Sequence, residues 1–255
     1  MKSRCLIAVL KSEPMKTLNL LIVLLTSLSF FNIQAQNQEG VITYETRIDM
    51  KRMLPPGVTP NPNMPDSRTV KNQLFFNADE SLYKPLVEEE EEEDQGGRGP
   101  GGRRFRAMQS EIYLKQSTGI MLTKQDFRFA SKQYLIVDTI KVAPWKFGTE
   151  TKKIAGYDCK QAFYTDENGK VITAWFTDQL RAFIGPDTYN TLPGSILAID
   201  VNNGERVSVA TKVELRALKK GEIQELTGGE KISRAEFKKY MEEMRKRRQA
   251  NGFRN

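Results

Sequence analysis

The segment Ile154–Ile199 reads IAGYDCKQA at 154–162, VITAWF at 171–176 and IGPDTYNTLPGSILAI at 184–199. Asp166-Glu167-Asn168-Gly169 separates two β-rich runs, Cys159–Thr165 and Val171–Thr177. Asn-Gly favours a tight hairpin because both residues tolerate positive φ at little steric cost. On the return run Val171, Thr173 and Trp175 alternate with Ile172, Ala174 and Phe176, so both faces carry apolar groups and both are expected to be partly covered. Gly156, Gly185, Pro186, Pro193 and Gly194 punctuate these runs and exclude a helix. The Leu192-Pro193-Gly194 turn is expected to re-aim the chain into a further strand, Ser195–Val201.

The order Gly156-Tyr157-x-Cys159, Ala174-Trp175-Phe176, Gly185-Pro186 and Leu192-Pro193-Gly194-x-Ile196-Leu197 resembles the GLPGLI family of secreted bacterial proteins. The resemblance extends upstream to Gly40-Val41-Ile42-Thr43-Tyr44, Phe75-Phe76, Ser81-Leu82 and Trp145, covering roughly Gly40 to Leu215. The naming motif departs at two places, with Thr191 for the first Gly and Ser195 for the second Leu. The resemblance implies a β-rich fold and an exported location, and no reaction, cofactor or catalytic residue.

The N-terminus has the layout of a targeting signal. Met15-Lys16 begins a basic region, Leu18–Phe31 is an apolar run, and Ala35 offers a cleavage point. This predicts a signal peptide over 1–35, its true start at Met15, and export to the periplasm or the outer envelope. An N-terminal anchor helix is the alternative. Removing 1–35 takes four bases and one acid from the 39 and 32 of the whole chain, lowering the net charge from +7 to +4. Cys159 then stands alone, so no intramolecular disulfide is available and the thiol is expected to be a small buried hydrophobe.

A β domain is expected over 36–229. Gly40–Met50 alternates as a half-buried strand, and Pro55–Pro65 carries too many prolines for a ladder. Lys71–Asn77 and Ser81–Lys84 are strands. Seven adjacent acids, Glu88–Asp94, run into a Gly/Arg-rich stretch, predicting a disordered insertion at about 87–107. Strands resume at Glu111–Gln116, Gly119–Lys124, Phe127–Ala130 and Gln133–Val142, and Trp145 is expected to share core contacts with Trp175. Asn202-Asn203-Gly204 is a second hairpin turn, after which Val207, Val209, Val213 and Leu215 mark one face.

Residues 230–255 form the one predicted helix. Ser233-Arg234-Ala235-Glu236 is a capping box, and Phe237, Tyr240, Met241 and Met244 give a narrow apolar stripe. The segment holds nine bases and four acids, and Arg245-Lys246-Arg247-Arg248 are candidates for contact with anionic lipid or an acidic partner. The alternative is a docked helix with a solvated cationic end.

Histidine is absent, which excludes Ser-His-Asp, Cys-His and His-based metal sites within the chain. The glycines at 96–102 lack the Lys-Ser/Thr of a phosphate loop, so no nucleotide cradle is expected, nor nucleic acid, metal or cofactor. Asp158, Asp166, Asp178, Asp187 and Asp200 are able to converge in space, so a carboxylate-based hydrolase stays open if two acids lie about 5–10 Å apart in a cleft. Together these features predict a curved antiparallel sheet or open β-barrel with a C-terminal amphipathic helix. The function expected is that of an exported, non-catalytic envelope protein whose sheet binds an apolar small molecule, lipid or partner segment. A structural component docking through its basic helix is the alternative. Trp145, Tyr157, Trp175 and Phe176 are the candidate ligand-lining residues, with ordinary core as their other reading, and Gly185, Pro186, Leu192, Pro193 and Gly194 form the motif turn.

Overall fold

The computed structural model describes residues 38–54, 59–86, 110–127 and 132–252. The expected signal peptide, the insertion at 87–107, Pro55–Val58 of the proline loop and most of Phe127–Ala130 lie outside the described residues. The strands are Gly40–Asp49 (β1), Ser67–Phe76 (β2), Glu80–Pro85 (β3), Ser110–Lys115 (β4), Ile120–Phe127 (β5) and Lys132–Thr139 (β6). They continue as Lys146–Ile154 (β7), Tyr157–Thr165 (β8), Val171–Thr177 (β9), Ser195–Val201 (β10), Arg206–Leu215 (β11) and Glu230–Ser233 (β12), followed by one helix, Arg234–Gly252 (α1). All twelve strands form one sheet in the order β12-β6-β5-β4-β3-β2-β1-β11-β10-β9-β8-β7. Every pairing is antiparallel except β12 on β6.

This order forces the sheet to curl. β6 and β7 are consecutive in the chain, yet ten strand spacings separate them in the ladder. Laid flat, those spacings span roughly 48 Å, whereas the chain from Thr139 to Lys146 reaches only about 25 Å. The sheet therefore bends until its two ends approach, without closing into a barrel, and β7 comes into contact with β11.

Register assigns the faces. Ile42 pairs Leu74, Leu74 pairs Tyr83, and Tyr83 pairs Ile112, so these share one face. That face continues through Ile199 opposite Ala174 and Val201 opposite Ile172. The segment 178–194 lies across it and inserts Leu180, Ile184 and Leu192 into the core. Tyr44, fully buried, donates its hydroxyl to the Ile196 carbonyl at 2.7 Å. On the reverse face, Leu82, Tyr113, Leu122 and Leu135 are covered by Ile223 and Leu226 from the segment after β11.

A bulge corrects one sequence expectation. Register shifts between Thr43 and Tyr44, leaving Thr211 as an extra residue on β11. Parity inverts there. Val213 joins Ile42 on the first face, while Val207 and Val209 lie on the reverse, so the four apolar residues of β11 do not mark a single face.

Two strands escape the sequence pattern. β7 reads KFGTETKKI and is polar at most positions, and β12 is the run EKIS just ahead of the helix. The first hairpin also differs in type. Gly169 alone takes positive φ (78°), and Asp166 Oδ1 accepts the amides of Asn168 and Lys170 at 2.8 Å, so Asp166 sets the turn and not the Asn-Gly pair. In the second hairpin Asn202, Asn203 and Gly204 all take positive φ, as their residue types favour.

The capping box is present. Ser233 Oγ accepts the Glu236 amide at 3.2 Å, and the Ser233 amide donates to Glu236 Oε2 at 2.9 Å. Phe237 and Tyr240 pack on Tyr134, with ring centroids 6.0 and 5.4 Å away. Arg245, Lys246 and Arg247 are exposed, and the Arg248 side chain lies outside the described residues.

The segment that covers the reverse face is anchored by an ion pair. Arg216 Nη1 and Nη2 donate to the Glu222 carboxylate at 2.8 and 2.7 Å. Those bonds, with the Lys219 amide, pull the Glu222 carboxyl down to about 2. A depressed carboxyl stabilises the fold above its unfolded value of about 4.3, and that contribution disappears as pH falls from there through about 2. Glu222→Gln is expected to cost about 1 kcal/mol at neutral pH, because the pair is part-exposed and screened. It is also expected to flatten the acid limb of the unfolding free energy in that window, which chemical denaturation at stepped pH measures.

Candidate functional site

The reverse face of β9, β10 and β11 is not covered by the segment after β11. Thr173 and Trp175 of β9, Ala198 and Asp200 of β10, and Val207 and Val209 of β11 project there together by register. The end of the β7–β8 hairpin overhangs this surface, and the space between is a groove of about 340 Å³. Its floor is Ala198, Val207, Val209 and Ala210, and its wall is Lys152, Lys153, Ile154 and Ala155. Trp175 and Asp200 complete the lining. Val209 is 37% exposed. An apolar floor left open beneath a polar overhang has the composition of a ligand site.

Each polar group in the groove is held differently. Asp200 Oδ1 accepts the Gly204 amide at 2.6 Å, which fixes the carboxylate to the β10–β11 turn. That turn is tied in place by Arg52, which donates to the Asn202 and Asn203 carbonyls at 2.6 and 2.7 Å, and by Asn202 to Glu205 at 2.8 Å. Lys152 Nζ sits 3.8 Å above the centre of the Trp175 ring. A cation on a ring face is worth ~0.5–1 kcal/mol when exposed. The indole N–H of Trp175 is buried with no hydrogen-bond partner among the described residues, an uncommon condition for a native donor.

The sequence-predicted residues separate. Only Trp175 lines the groove. Trp145 lies with the cluster on the other face, its ring edge on Tyr164 at 4.6 Å and its Nε1 donating to Thr191 Oγ1 at 3.0 Å. The expected core contact between Trp145 and Trp175 is therefore absent, because alternation on β9 turns Trp175 away from Phe176 and its neighbours. Phe176 is buried in the same cluster as Trp145, and Tyr157 packs beside Trp175 on the main core without reaching the groove. Cys159 is buried there too, and desolvation pushes its thiol up to about 11.

The motif turn is a covering loop. Leu192 is buried, Pro193 is exposed, and Gly185 and Gly194 are packed where a side chain has no room. Asp187, in the same loop, accepts from Arg206 Nη1 at 2.7 Å, and Arg206 also meets the Tyr189 hydroxyl at 3.5 Å. The Asp187 carboxylate raises the Arg206 guanidinium further above its ordinary value. This paired, half-buried cluster closes the loop onto the sheet. Among the described residues no three acidic or cysteine side chains group to hold a metal ion, and no helix is long and apolar enough to cross a membrane.

Lys152, Lys153, Val207 and Val209 were not legible as site residues. Asp200 carried a usable signal, as the one charge in the otherwise apolar run SILAIDV.

The sequence model of the family described as "N-glycanase peptide, N-terminal domain" matches residues 110–237. Two solved structures share the fold: PNGF-II in its P21 crystal form, with TM-score 0.50 and 20% identity, and in its C2 form, with TM-score 0.53 and 18% identity. Each alignment covers 79% of this chain and 32% of the PNGF-II chain, so the chain spans about a third of the length of those structures. At that identity the likeness is one of fold. No curated protein sequence matches the chain.

The family match overturns the GLPGLI assignment. The residues that carried the resemblance are largely turn formers and strand aromatics, whose roles here are generic to a curled sheet. The two departures from that motif have local structural roles, Thr191 accepting from Trp145 and Ser195 Oγ donating to the Arg181 carbonyl at 2.6 Å. The same match overturns the expectation of a non-catalytic envelope protein, whether binding an apolar ligand or docking through its helix. The absence of histidine removes His-dependent sites alone and leaves carboxylate chemistry open, so it does not support a non-catalytic reading.

Proposed function

The chain belongs to the N-glycanase peptide, N-terminal domain family, and on that premise we propose that it acts as an N-glycanase on N-glycosylated proteins, with the groove under the β7–β8 hairpin as its glycan site. One coincidence carries the proposal: every residue lining the groove, from Lys152 to Ala210, lies inside the matched stretch 110–237.

The chemistry of the lining fits the task. Releasing a glycan from an asparagine with water forms a carbon–oxygen bond from the water as the carbon–nitrogen link breaks, and a carboxylate that takes the proton of the water can return it to the leaving nitrogen. Asp200 is the one carboxylate of the lining, and its bond from the Gly204 amide holds it in a single orientation. The aliphatic floor of Ala198, Val207 and Val209 suits the C–H face of a sugar ring.

The test is incubation of the full chain with an N-glycosylated protein, followed by mass spectrometry of both products. Free glycan and a matching mass loss from the protein are the expected result. An unchanged glycoprotein, with the sheet intact by circular dichroism, overturns the proposal.

A further inference from the structure

We infer that the groove selects an acidic sugar, a glycan unit carrying a carboxylate, and that Lys152 is the residue that reads the charge. The inference rests on the glycan-site reading above and adds the ligand class. Among the lysines of β7–β11 and their turns, Lys146 does not line the groove, Lys153 meets Asp158 at 3.8 Å, Lys160 meets Asp178 at 2.7 Å, and Lys212 meets Glu214 at 2.9 Å. Lys170 is paired with Glu205. Lys152 has no carboxylate partner among the described residues and is held by the Trp175 ring face alone. A charge-assisted bond to a carboxylate is stronger than that contact, so an anion entering the groove draws the ammonium off the ring.

The remaining lining sets what the anion is attached to. Asp200 repels a carboxylate placed at its end of the groove and accepts from hydroxyl groups instead, which orients the acid toward Lys152. The floor between them is aliphatic and takes no polar group. A ligand with one acidic end, one hydroxyl-bearing end and a C–H face between them is a carboxylated sugar. At about 340 Å³ the groove is near the lower limit of ligand pockets, ~300–1,000 Å³, which suits a short glycan unit and excludes a folded partner surface.

The test uses the full chain and two oligosaccharides of equal length, one carrying a uronic acid and one in which that carboxyl has been reduced to an alcohol. Binding is followed by calorimetry and by tryptophan fluorescence, to which Trp175 contributes directly as its cation leaves. The acidic form is expected to bind at least about tenfold more tightly in low salt, and to lose that advantage as salt rises. Lys152→Gln is expected to reduce acidic-sugar affinity to that of the neutral form, and Lys152→Arg to preserve the preference. Equal affinities, or a preference that survives Lys152→Gln, overturn the inference. If neither oligosaccharide binds while glycoprotein is still deglycosylated, the inference fails and the proposed function stands; if glycoprotein is neither bound nor cleaved, both fail.

Discussion

Gly194→Ala is expected to lower the thermal midpoint by about 10 °C. A Cβ at Gly194 would stand 2.2 Å from the Thr177 carbonyl oxygen and 2.7 Å from its carbon. Both atoms are backbone at the end of β9, where Thr177 pairs with Ser195, so neither can rotate aside. Overpacking against a flexible side chain costs ~1–3 kcal/mol, and a clash with paired backbone lies at or beyond the top of that range. For a domain of this size each kcal/mol moves the midpoint by roughly 2–4 °C. Gly169→Ala is the comparison. Its Cβ meets nothing within 4 Å and the only penalty is its φ of 78°, so about 1 kcal/mol is expected. Scanning calorimetry of the two variants separates steric from conformational requirement, and equal midpoints would show that the loop moves off the sheet without cost.

The contrast explains what was legible. The Leu192-Pro193-Gly194 segment was readable as a non-helical break, because residue types announce it. Why a glycine is needed there was not, since Gly194 has ordinary φ and its constraint comes from a strand that is adjacent only after folding. The capping box at Ser233, the two hairpins and the buried Cys159 were local or compositional, and sequence exposed them. The pairing of β1 with β11 joins residues far apart in the chain, and nothing local announces it.

The groove was hidden for a related reason. Val207, Val209, Val213 and Leu215 alternate without fault, so the pattern predicts one buried face, yet the bulge opposite Thr43 and Tyr44 divides them between two. Lys152 and Lys153 lie on a strand too polar to announce itself. Curling then brings that strand over β11, a consequence of the short β6–β7 link across the whole ladder. Composition gave the function little purchase: the lack of histidine removes one class of proton acceptor, and the five aspartates Asp158, Asp166, Asp178, Asp187 and Asp200 left carboxylate chemistry open without saying which of them faces a groove.

Asp200→Asn tests that last point most sharply and is expected to reduce glycan release by about 10²–10⁴-fold, the range that a positioned proton acceptor contributes. The substitution is nearly silent for the fold. Asparagine keeps an oxygen in the position of Oδ1 to accept the Gly204 amide, now at 2.6 Å, and the turn remains tied by Arg52 and Asn202. The thermal midpoint should therefore stay within about 2 °C. Glycoprotein binding should persist, since the aliphatic floor and Lys152 are untouched. The split between retained binding and lost turnover identifies proton transfer as the missing step, because a purely structural Asp200 would lose stability and affinity together. Measured by single-turnover glycan release beside calorimetry, a rate unchanged in Asp200→Asn would remove Asp200 from the chemistry and move the search to acids outside the groove.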